Sequence, residues 1–185
     1  MKYLFIASFL LSGNSMSAHE PNEAFFTFEL KKGMITVEAE LPWSMRNALI
    51  DYNPKLETSS NKEAFENTFS QYIKENLILK DKNGSVLEFQ KFEELEKNGH
   101  SHQNNYLLIF QGNDFLEVTN TIMFNIDSNQ ANYNAINWNK TKYQTTSKKK
   151  SFKLKEEDVS SLFDIWWLLI IPFAIVVLIL LRSIT

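Results

Sequence analysis

Residues 23–31, EAFFTFELK, alternate between two faces. Ala24, Phe26, Phe28 and Leu30 fall on one; Phe25, Thr27 and Glu29 fall on the other. A period of two marks a half-buried strand, because successive side chains point to opposite sides of a sheet. Lys31-Lys32-Gly33 reads as a turn, with glycine where a positive φ is needed. The chain returns as MITVEAEL, with Ile35, Val37, Ala39 and Leu41 inward and Thr36, Glu38 and Glu40 outward. The pair predicts a β-hairpin, closed by Pro42.

The period then lengthens. Ser44 is placed to cap a short helix through Ile50, stopped before Pro54. Ser60 and Glu63 have capping-box spacing. Behind them Phe65, Phe69, Tyr72 and Ile73 recur on one helical face. Residues 61–76 therefore predict an amphipathic helix whose aromatic stripe packs on the sheet as core. NLILKDKNGSVLEFQ predicts a second hairpin, with Asn83-Gly84 in a type I′ turn. NYLLIF is a strand, and EVTNTIMFNI another, with Val118, Ile122, Phe124 and Ile126 on one face. NYNAINW and KSFKL are shorter strands. The stretch 127–147, rich in Asn, Gln, Ser and Thr, reads as loop enclosing one strand. Two strands, helices, then mostly antiparallel strands give an α+β class: a β-sandwich or curled sheet with a helical insertion, over residues 19–154.

Both ends carry a different pattern. A basic start, an apolar run from Tyr3 to Leu11 and a small, polar stretch to Ala18 form the three regions of a secretory leader, residues 1–18. Cleavage after Ser17 or after Ala18 fits, and only the second makes His19 the mature N-terminus. Ile165 to Leu181, IWWLLIIPFAIVVLILL, has no charge. With its flanks, residues 162–182 reach the ~20 residues of a spanning helix. Trp166 and Trp167 suit one interface and Arg182 the cytoplasmic one. Pro172 inside the run is tolerable in a membrane helix. Residues 155–161 read as a juxtamembrane linker and 183–185 as a cytoplasmic tail. The expectation is a single-pass protein of a bacterial inner membrane, with its folded body in the periplasm or extracytoplasmic space and its lipid contact through the C-terminal helix.

Composition narrows the chemistry. With 44% apolar residues the body can build one core. A net charge of −3 gives no basic field, so no nucleic-acid partner is expected. Lys148-Lys149-Lys150 is local and reads as a solvated turn. Cysteine is absent, which removes disulfides, thiolate metal sites and a cysteine nucleophile. No nucleophile elbow, phosphate-binding glycine loop or HExxH helix is present. Asp51, Asp127 and Glu93-Glu94 lack a spacing that implies an acid–base pair. A non-enzymatic module without a resident cofactor follows.

Two features could bind something. His100-Ser101-His102 sets two imidazoles on one side of an extended segment. His19, if terminal, adds an amine and an imidazole. Together His19, His100 and His102 would suit Cu, Ni or Zn as a divalent ion; otherwise they are scattered surface histidines. Trp43, after the first hairpin, reads as core or rim packing. Trp138, among polar neighbours, is a candidate contact for a membrane or periplasmic protein.

Tyr72-Ile73 with Leu77, Asn83-Gly84, Glu117 to Thr121, Asp127 with Gln130 and Asn132, and Lys149 to Leu154 form a pattern. It resembles an uncharacterised family of exported domains common in Bacteroidota, over most of residues 19–154. The opening AHEPNEAFFTF is similar to the AHxPSxxY start of the exported domain in HupE/UreJ-type permeases, hydrogenase- and urease-accessory proteins. Those continue into several spans, and some are linked to nickel or cobalt uptake. One span encloses no pathway, so the resemblance implies an exported domain rather than transport. Neither resemblance implies a catalytic residue.

Overall fold

The computed structural model describes residues 21–96 and 103–155. The expected leader, His19, His100, His102 and residues 156–185, with Trp166, Trp167 and Arg182, lie outside them. Among the described residues no helix is long and apolar enough to cross a membrane.

The described elements run β1 (Glu23–Lys31), β2 (Met34–Pro42), α1 (Met45–Tyr52), a short 3₁₀ turn (Pro54–Leu56), α2 (Lys62–Asn76), β3 (Leu77–Lys80), β4 (Glu88–Glu94), β5 (Gln103–Gln111), β6 (Glu117–Asn120), β7 (Ala131–Ile136), β8 (Thr141–Thr146) and β9 (Ser151–Lys153). Six strands form one sheet in the order β4-β5-β2-β1-β7-β8, and three form a second in the order β3-β6-β9. The pairing is mostly antiparallel, and the fold is mixed α and β. One pair departs: β1 and β7 run parallel. A parallel pair needs a long crossover. Here everything from β2 to β6, both helices included, lies between the two strands.

The first hairpin forms as its alternation requires. Ala24, Phe26 and Phe28 are buried, and Ile35, Val37, Ala39 and Leu41 are fully so. Each such large apolar side chain contributes roughly 1.5–3 kcal/mol by leaving water. The aromatic stripe of α2 meets this layer. Phe69 packs 4.6 Å from both Phe92 of β4 and Tyr106 of β5. Phe89 and Phe92 are three apart, which strict alternation would send to opposite faces. A bulge at Gln90 returns both to the interior, opposite Phe110 and Leu108.

Several local expectations are corrected. Asn61 caps α2, accepting from the Glu63 backbone N–H at 2.9 Å, so the Ser60–Glu63 box does not form. Ser44 precedes α1, but its hydroxyl donates to the Pro21 carbonyl instead of capping. Asn83 is not left-handed, so the Asn-Gly turn is not type I′. The Gly84 N–H closes a turn on the Asp81 carbonyl, Gly84 alone takes a positive φ, and the Asp81 carboxylate accepts from the Asn83 and Ser85 N–H groups. Beyond Leu87 the chain crosses to the other sheet. β6 stops at Asn120, and Thr121 to Asp127 are turns. Residues 127–147 hold two strands, not one.

The two sheets meet through buried amides. Asn120, Gln130, Asn132, Asn134 and Thr145 are each 1% exposed or less. Asn120, from the three-stranded sheet, donates to Asn134 Oδ1 at 2.9 Å and accepts from Asn132 Nδ2 at 3.0 Å. Its backbone carbonyl accepts from the Thr145 hydroxyl at 2.8 Å. Asn132 also donates to the Ile122 carbonyl and accepts from Gln130 Nε2 at 2.9 Å. Bonding of this kind offsets the cost of burying amides, and of this group Gln130 Oε1 is left without a partner among the described residues.

Asn132→Ala removes the 2.9 Å acceptor of the Gln130 amide, which keeps only a longer 3.4 Å bond to the Ala131 carbonyl, and takes from the Ile122 carbonyl its side-chain donor. Each such loss costs about 1–3 kcal/mol, so the variant loses roughly 2–4 kcal/mol of unfolding free energy in urea, whereas Lys148→Ala in an exposed turn changes it by less than ~0.5 kcal/mol. Equal effects for the two would show that the amides are solvated.

Candidate functional site

The strands bring chain positions 21 and 103 to one end of the six-stranded sheet. Gln103, the first residue of β5, pairs with Pro42 at the end of β2. Pro21 accepts a hydrogen bond from Ser44, two residues beyond Pro42. Chain positions 21 and 103 therefore both adjoin the end of β2. His19 lies two residues before the first and His102 one before the second. His19, His100 and His102 themselves are outside the described residues. Among the described residues no group of three or more His, Cys, Asp or Glu is placed to hold a metal ion.

Trp43 sits at this same end, and is 64% exposed. It is not core, because the chain leaves β2 at Pro42 and the inward face ends with Leu41. Trp138 lies at the opposite end, in the β7–β8 turn. It is half-buried and meets the ring of Phe115 edge-on at 5.4 Å. Its polar neighbours in sequence hide that contact.

The outer face of the six-stranded sheet carries a shallow groove of about 440 Å³. Phe25, Thr27, Glu40, Tyr133, Ala135 and Lys142 line it. Phe25 stands between Glu40 of β2 and Tyr133 of β7, its register partners. The rings of Phe25 and Tyr133 stack at 5.2 Å and 14°. The Tyr133 hydroxyl donates to Glu23 at 3.1 Å. Burial, that hydrogen bond and the Glu23 charge all raise its pKa. An apolar wall, one carboxylate and one ammonium suit a peptide or another amphipathic ligand. Phe25 is legible as an outward residue from its alternation. Tyr133 is harder to find, because the inward face of its strand is written in Asn132 and Asn134 rather than in apolar residues.

The carboxylates stand apart. Asp51 accepts from Asn125 at 3.0 Å, Asp127 accepts from the Asn129 N–H, and Glu93 pairs with Lys91. Glu94 lies on the neighbouring position of β4, and lines a smaller pocket of about 260 Å³ with Lys62, Glu66 and Phe92. Tyr72 is the centre of a lock rather than of a reaction. Its hydroxyl accepts from the Met123 N–H at 2.8 Å and donates to Asn125 at 2.7 Å. Asn125 in turn donates to the Ala48 carbonyl. These bonds hold Met123 at a φ of 65°, a left-handed backbone that costs a residue with a side chain about 1–2 kcal/mol.

No protein-family model and no curated protein matches the chain.

Burial, foremost, pushes the Tyr72 phenol up to about 12; the Asp51 charge adds to this, and the Met123 N–H opposes it. Burial, then the Glu94 charge, pushes Tyr106 up to about 12 as well. A phenol whose folded pKa exceeds its unfolded value stabilises fully below the unfolded pKa. That contribution is lost as pH rises from the ordinary tyrosine value of 10.0 through about 12. At 1.36 kcal/mol per tenfold change in proton affinity, each phenol loses on the order of 3 kcal/mol across this window. Urea unfolding at stepped alkaline pH measures the fall, and Tyr72→Phe makes it shallower. An unchanged slope in Tyr72→Phe would show that this phenol is not shielded.

Proposed function

We propose that this chain is a single-pass, membrane-anchored module of a bacterial inner membrane, its folded domain outside the cytoplasm. It acts without catalysis, as a binding or accessory subunit for another membrane or periplasmic protein. The domain is of the β-sandwich type, two sheets closed over one core. The observation that carries the binding role is the groove of Phe25, Tyr133, Glu40 and Lys142, with Trp43 exposed at the end of β2. Aromatic side chains presented at a surface concentrate binding energy. The leader and the apolar segment 162–182 support the location. Tethering confines such a domain near a membrane partner and raises its effective concentration.

A photo-crosslinking amino acid placed at Tyr133 or Trp43 in cells tests this reading. The expected result is a discrete adduct with one protein, weakened by Lys142→Glu. Recovery of the monomer alone at both positions, after gentle solubilisation, counts against it.

A second reading is favoured by the convergence of chain positions 21 and 103 on the end of β2. His19, with its free amine after cleavage at Ala18, and His100 and His102 would hold one Cu, Ni or Zn ion for binding or delivery. Calorimetric titration of the processed chain with each ion is expected to show one site, lost in the His100→Ala/His102→Ala variant. N-terminal sequencing that found a chain starting at Ala18 would remove the amine–imidazole chelate.

A further inference from the structure

We infer that the end of the domain carrying the β1–β2, β3–β4 and β7–β8 turns rests on the lipid headgroup surface. This rests on the proposed anchor, and adds a second, independent contact with the bilayer.

The described chain leaves the domain at this end. Lys153 pairs with Glu117, and the Leu154 N–H donates to the Leu116 carbonyl. The Leu116 N–H donates to Lys80, at the mouth of the β3–β4 turn. The Gly112 N–H donates to Gly33 in the β1–β2 turn. The Asn137 N–H donates to Phe28, beside the β7–β8 turn. Backbone hydrogen bonds thus gather these turns and the exit of β9 at one end. From Lys155 to the expected start of the span at 162 the chain can cover only about 20–25 Å fully extended. Strands of nine residues are ~30 Å long. The exit end is therefore held near the bilayer, and the end with Trp43 projects away.

The surface of this end fits that position. Val86 is 63% exposed and Met34 44% exposed, large apolar side chains at the tips of adjacent turns. Lys32, Lys82 and Lys140 are exposed around them, and none has an ion-pair partner among the described residues. Of the nearby acids, Asp81 turns its carboxylate onto its own loop, Glu29 pairs with Lys31, Glu117 pairs with Lys80 and Lys153, Asp114 is half-buried, and Glu88 at the start of β4 is exposed. Trp138 sits among them, its indole half-buried. Exposed apolar tips ringed by lysine, with an indole beside them, match a headgroup layer bearing anionic lipid. They match a protein groove less well, because the apolar residues stand out as points rather than lining a concavity.

The absence of cysteine allows single labels. The full chain, as Val86→Cys or Lys148→Cys, carries an environment-sensitive fluorophore and is reconstituted into vesicles. The vesicles are phosphatidylcholine alone or phosphatidylcholine doped with phosphatidylglycerol, each with a headgroup spin label as quencher. Lys148 lies in the β8–β9 turn, at the far end. The expected result is flotation of both variants with the vesicles, and quenching at residue 86 severalfold above that at residue 148, greatest with phosphatidylglycerol. Changing Lys32, Lys82 and Lys140 to Gln lowers the quenching in the doped vesicles to that in phosphatidylcholine alone, with flotation kept. Flotation with equal quenching at both labels overturns the docking and leaves the anchor standing. A chain that stays out of the vesicle fraction overturns both.

Discussion

The arrangement of this domain depends on a polar contact buried between two sheets. Asn120 stands on a strand of the smaller sheet, and its amide is bonded to Asn132 and Asn134 on the larger one. Apolar side chains could fill the same space, but they would not fix how the sheets sit. An amide fixes direction, because each donor must find its acceptor or remain buried unsatisfied. The bonds reach Ile122 and Gln130, so they also set the path of the chain between β6 and β7. That path delivers β7 alongside β1 in parallel. The stacked pair Phe25–Tyr133 exists only because of that neighbour relation.

A similar economy holds the helices. Tyr72 comes from the apolar stripe of α2 yet spends its hydroxyl on the Met123 backbone, in the turn that follows β6. Asn76, one turn further on, accepts the Thr121 hydroxyl and, through its carbonyl, the Thr121 N–H. The segment 121–127 is therefore pinned to α2 at both ends of one helical turn. This explains why an apolar run containing Ile122, Phe124 and Ile126 does not extend β6. Its backbone is recruited by side chains of a helix, and a left-handed Met123 breaks any strand there.

How much was legible follows from which residues advertise their environment. Phe26, Phe28, Ile35 and Val37 do, because alternation and hydrophobicity agree. The stripe Phe65, Phe69, Tyr72, Ile73 does so for the same reason at helical spacing. Asn132, Asn134 and Thr145 do not: they alternate correctly, but their polarity argues for solvent, and only their mutual bonding shows why they are inside. The strand β8 was hidden with them. Asn83-Gly84 misled because its turn preference was overridden by Asp81, whose carboxylate accepts two backbone N–H groups and stabilises the other turn. The groove was half legible, in Phe25 and Glu40 and not in Tyr133. The histidines and the apolar segment 162–182 lie outside the described residues, so the structure bears on them only through the described chain beside them.

Those flanking strands give the domain a direction. At one end of the six-stranded sheet lie Trp43 and the approaches to His19 and His102; at the other lie Met34, Val86, three lysines and the exit of β9. On the proposed anchor, a domain hung from a short linker could not present both ends equally. The proposed anchor would set the end near the linker against the bilayer surface, where lysine and isolated apolar side chains are at little cost. The end remote from it would be left to meet other molecules, with the Trp43 indole exposed there. The same parallel pairing that places Tyr133 beside Phe25 runs the start of both strands toward that remote end. A partner seated in the groove would thus approach from the side away from the lipid, and the amide clamp, which fixes the β1–β7 pair, would set the geometry of its approach.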